Sequence, residues 1–298
     1  MRFLSFAKSD GSAVAVRVGT DLIDLSVAAP HLPRRLDQLI ALGVEGVQHI
    51  MRVVRGAGGA ALLNPVGLRY LPSIPHPKKI LCVGLNYVDH AAESPYKEVP
   101  EYPVFFLRCC NSLVGHERPL IRPRVSAQLD YEGEVVAVIG RRTRYVPREH
   151  ALEAVAGYSI FNDASIRDYQ FKSTQWTVGK NFDGTGAFGP EVVTADEVAP
   201  GAKGLQLTTR LNGSVVQSAN TSDMVFPIDV LISRLSEVFT LEPGDIVVTG
   251  TPAGVGFART PQIWMKPGDV CEVEVEGIGL LRNTVSDEES GGGSHEAR

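Results

Sequence analysis

Cysteine is scarce in this chain, and the 4 that occur are not arranged for chemistry. Cys82, Cys109, Cys110 and Cys271 have neither zinc-ribbon nor Cys-x-x-Cys spacing, which excludes a ribbon and a dithiol redox centre and leaves buried or idle thiols. None of the 7 histidines falls in a His-x-His or His-x-x-x-His pair, so a zinc site has no support. Basic runs are missing too. With a net charge of -5, the chain offers no surface for nucleic acid or an anionic membrane as its main partner. No apolar run is long enough to span a bilayer, and Arg2 and Lys8 bring charge too early for a secretory signal, so a cytoplasmic location is expected. The glycine-rich segment 250–256 fits neither the phosphate loop Gly-x-x-x-x-Gly-Lys-Ser/Thr nor the dinucleotide fingerprint, and reads as a tight loop. No internal repeat is evident. What remains is a small-molecule partner and, among metals, a hard cation.

The hydrophobic share of 44% over 298 residues suffices for one large domain, or a large domain with a small appendage. Alternating apolar residues predict short strands over 2–8, 13–17 and 21–25, followed by amphipathic helices over 34–42 and 44–55. Prolines 72, 75 and 77 mark a link, with a boundary near residue 74 between a small N-terminal domain, 1–74, and a larger one, 75–286. In the larger unit, Val- and Ile-rich strands are expected over 80–83, 104–107, 134–139, 205–211, 245–249 and 270–275. Two strong helices interrupt them, near 149–155 and over 227–236, where Ile228, Leu231, Ile232 and Leu235 mark one apolar face. The fold class expected is α+β and rich in strands, with a disordered tail over 287–298.

Three carboxylates carry most of the functional information. Glu132 and Glu134 stand two apart in a segment of strand composition, so both side chains leave one face. Like charges side by side repel unless a cation lies between them, and Mg²⁺ or Mn²⁺ prefers carboxylate oxygen. Acids on the wet face of an edge strand are the competing reading, and for this pair alone it is the stronger one. Asp163 alters the balance, because it follows the apolar run 157–161 at a strand end, where sites are built, although an Asn-Asp pair there also suits a helix N-cap. A second pair, His90 and Glu93, lies three residues apart. If that segment is helical, Glu93 holds the imidazole in the tautomer a general base requires, and Pro95 and Pro100 bound a mobile cap. An ordinary exposed helix is the alternative.

Several motifs in register resemble the fumarylacetoacetate hydrolase superfamily: Val83-Gly84-Leu85-Asn86-Tyr87, Asp130-Tyr131-Glu132-Gly133-Glu134, Phe161-Asn162-Asp163, Arg167-Asp168 with Gln170, Gly179-Lys180, and Gly250-Thr251-Pro252. The resemblance spans nearly all of 75–285. It implies a mixed β-roll catalytic domain behind a small N-terminal domain, usually as a homodimer, with Mg²⁺ or Mn²⁺ on Glu132, Glu134 and Asp163. It further implies that Lys180 faces a bound 2-oxo acid, that Gln170 contacts substrate or metal-bound water, and that Thr251 holds the substrate carboxylate. In the acylpyruvase-like branch, a His and a Glu spaced like His90 and Glu93 sit on a lid. One departure is Arg108, where relatives often carry lysine; Arg grips a carboxylate with two prongs, so a different distal substrate group is expected there. Arg167 is expected to make ion pairs near the acids rather than to touch substrate.

The activity expected is metal-dependent carbon-carbon hydrolysis of 3-acylpyruvates or related 2,4-diketo acids, with oxaloacetate decarboxylation as a companion. Two alternatives stand beside it. One is a lyase, isomerase or hydratase acting on 2-hydroxy-dienoates or 2-oxo diacids, and the other is a catalytically silent metal- or ligand-binding protein.

Overall fold

A computed structural model describes residues 1–289. Its centre is an eleven-stranded sheet in which Gly133–Ile139 lies between Val155–Asp163 and Ile246–Val248, both antiparallel to it. Ile80–Gly84 runs parallel to Ile246–Val248, and Val104–Arg108 forms the edge. Alternation along the central strand decides what covers each face. Val135, Ala137 and Ile139 enter one core, with helix Ile228–Val238 and the second sheet; Val136 and Val138 enter another, with Leu36, Leu39, Ile50 and Val54 of the first helices. A strand buried on both faces explains the unbroken apolar run. The second sheet has five strands, ordered Ser214–Asn220, Gln206–Leu211, Val270–Val275, Gly279–Asp287 and Leu120–Arg122.

The N-terminal segment is joined to the main sheet. Arg2–Lys8 pairs with Gly186–Thr194, so the first strands prolong the main sheet, and the helices Leu36–Ile40 and Gly43–Arg55 roof one of its faces. The apolar face they cover would otherwise meet water. Two other boundaries differ. The helix expected over 149–155 is shorter, Arg148–Ala151 with one tighter turn, because Val155 already pairs with Ile139. The tail expected from 287 does not start there: Asp287 closes its strand and the Glu288 N–H donates to the Arg122 carbonyl, while 290–298 lie outside the described residues.

Candidate metal centre and active site

Glu132, Glu134 and Asp163 converge beneath one pocket. Glu132 immediately precedes the strand Gly133–Ile139, and Asp163 ends its neighbour; the Asp163 N–H donates to the Glu132 carbonyl at 2.8 Å, locking the two strand ends together. One oxygen of each carboxylate lies within 4.8 Å of the others, and all three residues are buried. This rules out the reading of wet-face acids.

Three buried cations brace the acids. Lys180 Nζ donates to Glu132 Oε2 and Asp163 Oδ2, both at 2.6 Å; Arg167 Nη1 lies 2.6 Å from Glu132 Oε1; Arg108 pairs with Asp163 Oδ1. Burial pushes the Glu132 carboxyl upward, but Lys180 and Arg167 outweigh it and hold the group at about 2. Glu134 has no such partner. Burial first, then Asp163 and Glu132, drive its carboxyl well above the usual range, and the nearby Lys180 charge and the Gly250 N–H, at 2.5 Å, offset this only in part. Both the all-carboxylate donor set and this incompletely compensated charge fit a divalent hard cation, Mg²⁺ or Mn²⁺, held by Glu132, Glu134 and Asp163.

Across the pocket, His90 projects from the short helix Val88–Glu93. Its Nδ1 is 2.9 Å from Glu93 Oε1, so the neutral imidazole donates there and keeps a lone pair on Nε2. Glu93 is itself fixed: its oxygens accept the Gly254 N–H at 3.1 and 3.0 Å, and the Val255 N–H at 3.4 Å. Gly254 has φ of +103°, a backbone shape that suits glycine and turns its N–H toward the helix. The cap anticipated from its prolines is thus latched shut. Trp176 Nε1 donates to the Tyr96 hydroxyl at 2.9 Å, joining the chain after that cap to the chain before Lys180. The pocket, a cavity of about 40 Å³, is walled beyond the acids by Tyr96, Phe106, Phe171, Trp176 and Phe257.

The remaining sequence candidates separate. Gln170 lines the pocket, its Oε1 accepting from Arg167 at 2.8 Å. Thr251 lines it too, but its hydroxyl donates to the Gly133 carbonyl at 3.1 Å and accepts from Gln217. Arg108 does not line the pocket. It is buried behind the acids on Asp163, Thr185 and Ser112, so the distal-substrate role expected for it gives way to bracing Asp163. Arg167 braces Glu132 and Asp130 and also borders the pocket, with its Nη2 buried and unpartnered among the described residues.

Three residues with structural weight went unassigned in the sequence. Asp130 accepts from Gly256 and Phe257 and pairs with Arg167, fastening the 250–257 loop to the site. Asn86 joins the start of the cap to Thr249 and Phe226. Gln217 reaches in from the second sheet. Asp130 and Asn86 stood inside motifs shared with the family but were given no role; nothing local marked Gln217.

A strand-built cluster of carboxylates under a His-Glu cap, in a sheet-rich α+β fold, defines an all-oxygen donor set suited to a divalent cation, with an imidazole across the pocket. The chain belongs to the fumarylacetoacetate hydrolase family, whose C-terminal family model matches residues 79–286. A Xenopus laevis protein named a mitochondrial oxaloacetate tautomerase is 35% identical over 291 residues, covering 96% of this chain and 90% of that protein. The solved fumarylacetoacetate hydrolase of Exiguobacterium antarcticum has a TM-score of 0.83 at 33% identity, over 97% of this chain and 100% of that one. A Sphingobium maleylpyruvate hydrolase, solved with manganese and pyruvate, has a TM-score of 0.80 at 26% identity, again over 97% and 100%. Relatives in this family are therefore enzymes of both isomerising and hydrolytic kinds. No helix among the described residues is long and apolar enough to cross a membrane. Since the Xenopus relative is mitochondrial by name, the cytoplasmic expectation gains nothing from the match.

Proposed function

We propose that this protein is a divalent-metal-dependent enzyme that transfers a proton at the carbon next to the keto group of a small 2-oxo acid, with enol-keto tautomerisation of oxaloacetate as its first candidate reaction. The observation that carries this reading is the placement of His90, oriented by Glu93, across one pocket from the Glu132, Glu134 and Asp163 cluster. The name and coverage of the Xenopus relative support the choice of oxaloacetate. When bound, Mg²⁺ or Mn²⁺ supplies Lewis-acid charge for the keto oxygen and carboxylate of such a substrate. Lys180 adds a fixed ammonium beside the acids, in a site where preorganised charge is worth a few kcal/mol of barrier, on the order of 3. His90 Nε2 takes the proton from one tautomer and returns it to the other, while Glu93 stabilises the imidazolium formed between these steps. Arg167 and Gln170 line the same floor and orient the substrate.

A second reading keeps the same residues and breaks a carbon-carbon bond. Hydrolysis of a 3-acylpyruvate, which consumes water, and decarboxylation of oxaloacetate, which releases carbon dioxide without it, both leave pyruvate enolate, and the maleylpyruvate hydrolase neighbour together with the His90-Glu93 pair favours retaining this reading. One experiment separates these: follow oxaloacetate enol-to-keto conversion, pyruvate release from oxaloacetate and pyruvate release from acetylpyruvate, each with Mn²⁺ or with chelator. Metal-dependent tautomerisation well above pyruvate release supports the first reading. Acylpyruvate cleavage as the dominant rate supports the second, and undiminished turnover in chelator would reject both.

A further inference from the structure

Behind the glutamates, a closed ring of hydrogen bonds joins three residues that are distant in sequence. The Gly133 N–H donates to Gln217 Oε1 at 3.0 Å, Gln217 Nε2 donates to Thr251 Oγ1 at 2.8 Å, and the Thr251 hydroxyl donates to the Gly133 carbonyl at 3.1 Å. The second proton on Nε2 goes to the Pro252 carbonyl at 2.9 Å. Because one end of the amide meets an N–H and the other a carbonyl, its orientation is fixed by its partners. Gln217 is 2% exposed and comes from the strand Ser214–Asn220 in the second sheet.

Gly133 is the residue between the two glutamates of the clamp. A methyl group on it would sit 2.2 Å from Thr209 Oγ1, so glycine is required and only its peptide groups are available to fix it. Both belong to the ring. We propose that Gln217 is a positioning residue of the metal centre: the ring sets the Gly133 peptide and hence the spacing of Glu132 and Glu134, and it couples that spacing to the Thr251 loop on the floor of the pocket. This rests on the divalent-metal reading above.

The test is Mn²⁺ affinity measured by calorimetry, with melting temperature recorded beside it. Gln217→Met fills the space without polar atoms and should weaken Mn²⁺ binding about tenfold or more, the usual effect of losing a group that orients a ligand. Thr251→Val opens the ring at another point and should cost a similar factor, while Thr251→Ser, which keeps the hydroxyl, should restore most of it. The double variant Gln217→Met/Thr251→Val should bind no more weakly than the poorer single variant, because an open ring is not opened twice. Asn283→Leu is the control: Asn283 is buried and donates to the Gly115 and Arg118 carbonyls, so its loss should lower the melting temperature and leave Mn²⁺ affinity unchanged. If Gln217→Met does not fold, the Thr251 pair decides. Wild-type affinity in Thr251→Val, or additive losses in the double variant, overturns the ring. Absence of Mn²⁺ binding by the wild type overturns the metal reading along with it.

Discussion

The two walls of the pocket are built on different terms. The acid wall hangs on strand ends in the middle of the largest sheet, each residue at most 5% exposed and braced by Lys180, Arg108, Arg167 or a backbone N–H. The facing wall is a 6-residue helix, too short to hold its shape unaided, kept in place largely by Glu93 on Gly254 and Val255. The difference separates two jobs. Charge that polarises a substrate works best when it never reorganises, whereas a proton-transfer group over a closed pocket must withdraw to admit one.

The sharpest break lies within the acid wall. Glu132→Gln removes the counter-charge shared by Lys180 and Arg167 and should destabilise the metal-free protein by about 3–5 kcal/mol, read by urea unfolding. Glu134→Gln removes a charge that burial disfavours, so the metal-free protein should melt higher than wild type while Mn²⁺ binding is lost. Equal destabilisation by both would show that their environments do not differ. On the lid wall, His90→Ala should lower kcat by about 10²–10⁴ with Mn²⁺ affinity within twofold of wild type, roughly, since it holds no cation. A parallel loss of Mn²⁺ binding would place both walls in one unit.

Some of this was legible in the sequence and some was not, for reasons particular residues make plain. Glu132 with Glu134, and His90 with Glu93, stand at strand and helix spacing, so spacing suggested that each pair shares a face, whereas Asp163 was read from its place at a strand end and from the family resemblance. The strands over 80–84, 133–139 and 270–275 were equally visible as Val- and Ile-rich runs. Arg108 was misjudged because one arginine looks the same whether it faces a pocket or, as here, a buried aspartate 55 positions away. Gln217 was invisible because its partners, Gly133 and Thr251, are set by how two sheets stack, which no local pattern encodes. The joined N-terminal strands were missed for the same reason: the pairing of Arg2–Lys8 with Gly186–Thr194 is a contact between distant segments.

Titration offers a gentler probe of the acid wall. A carboxyl raised in the folded state binds more protons folded than unfolded, so Glu134 makes stability fall as pH rises from its ordinary value of 4.5 toward its raised one. Glu132 has the opposite sign: its contribution is full above 4.5 and is lost as pH falls through about 2. In chelator, then, the melting temperature should decline on raising pH above 4.5, Glu134→Gln should flatten that decline, and saturating Mn²⁺ should reverse it because the metal displaces the proton. A wild-type profile that is the same with and without Mn²⁺ would detach Glu134 from the cation.

The smallest expected effect belongs to the lid wall. Trp176→Phe keeps an aromatic surface against Phe106 and removes one hydrogen bond, that to the Tyr96 hydroxyl. Such a bond is worth about 1 kcal/mol net, and because Tyr96 lies just beyond the cap, its loss should favour opening. Opening dilutes the closed form and should raise KM by up to about fivefold, the factor that 1 kcal/mol allows, with kcat nearly unchanged and Mn²⁺ affinity equal to wild type. Hydrogen exchange should then speed up at residues 88–96 and stay slow at 133–139. Faster exchange along both segments would mean that the lid and the acid wall open together, and the division of labour between them would not hold.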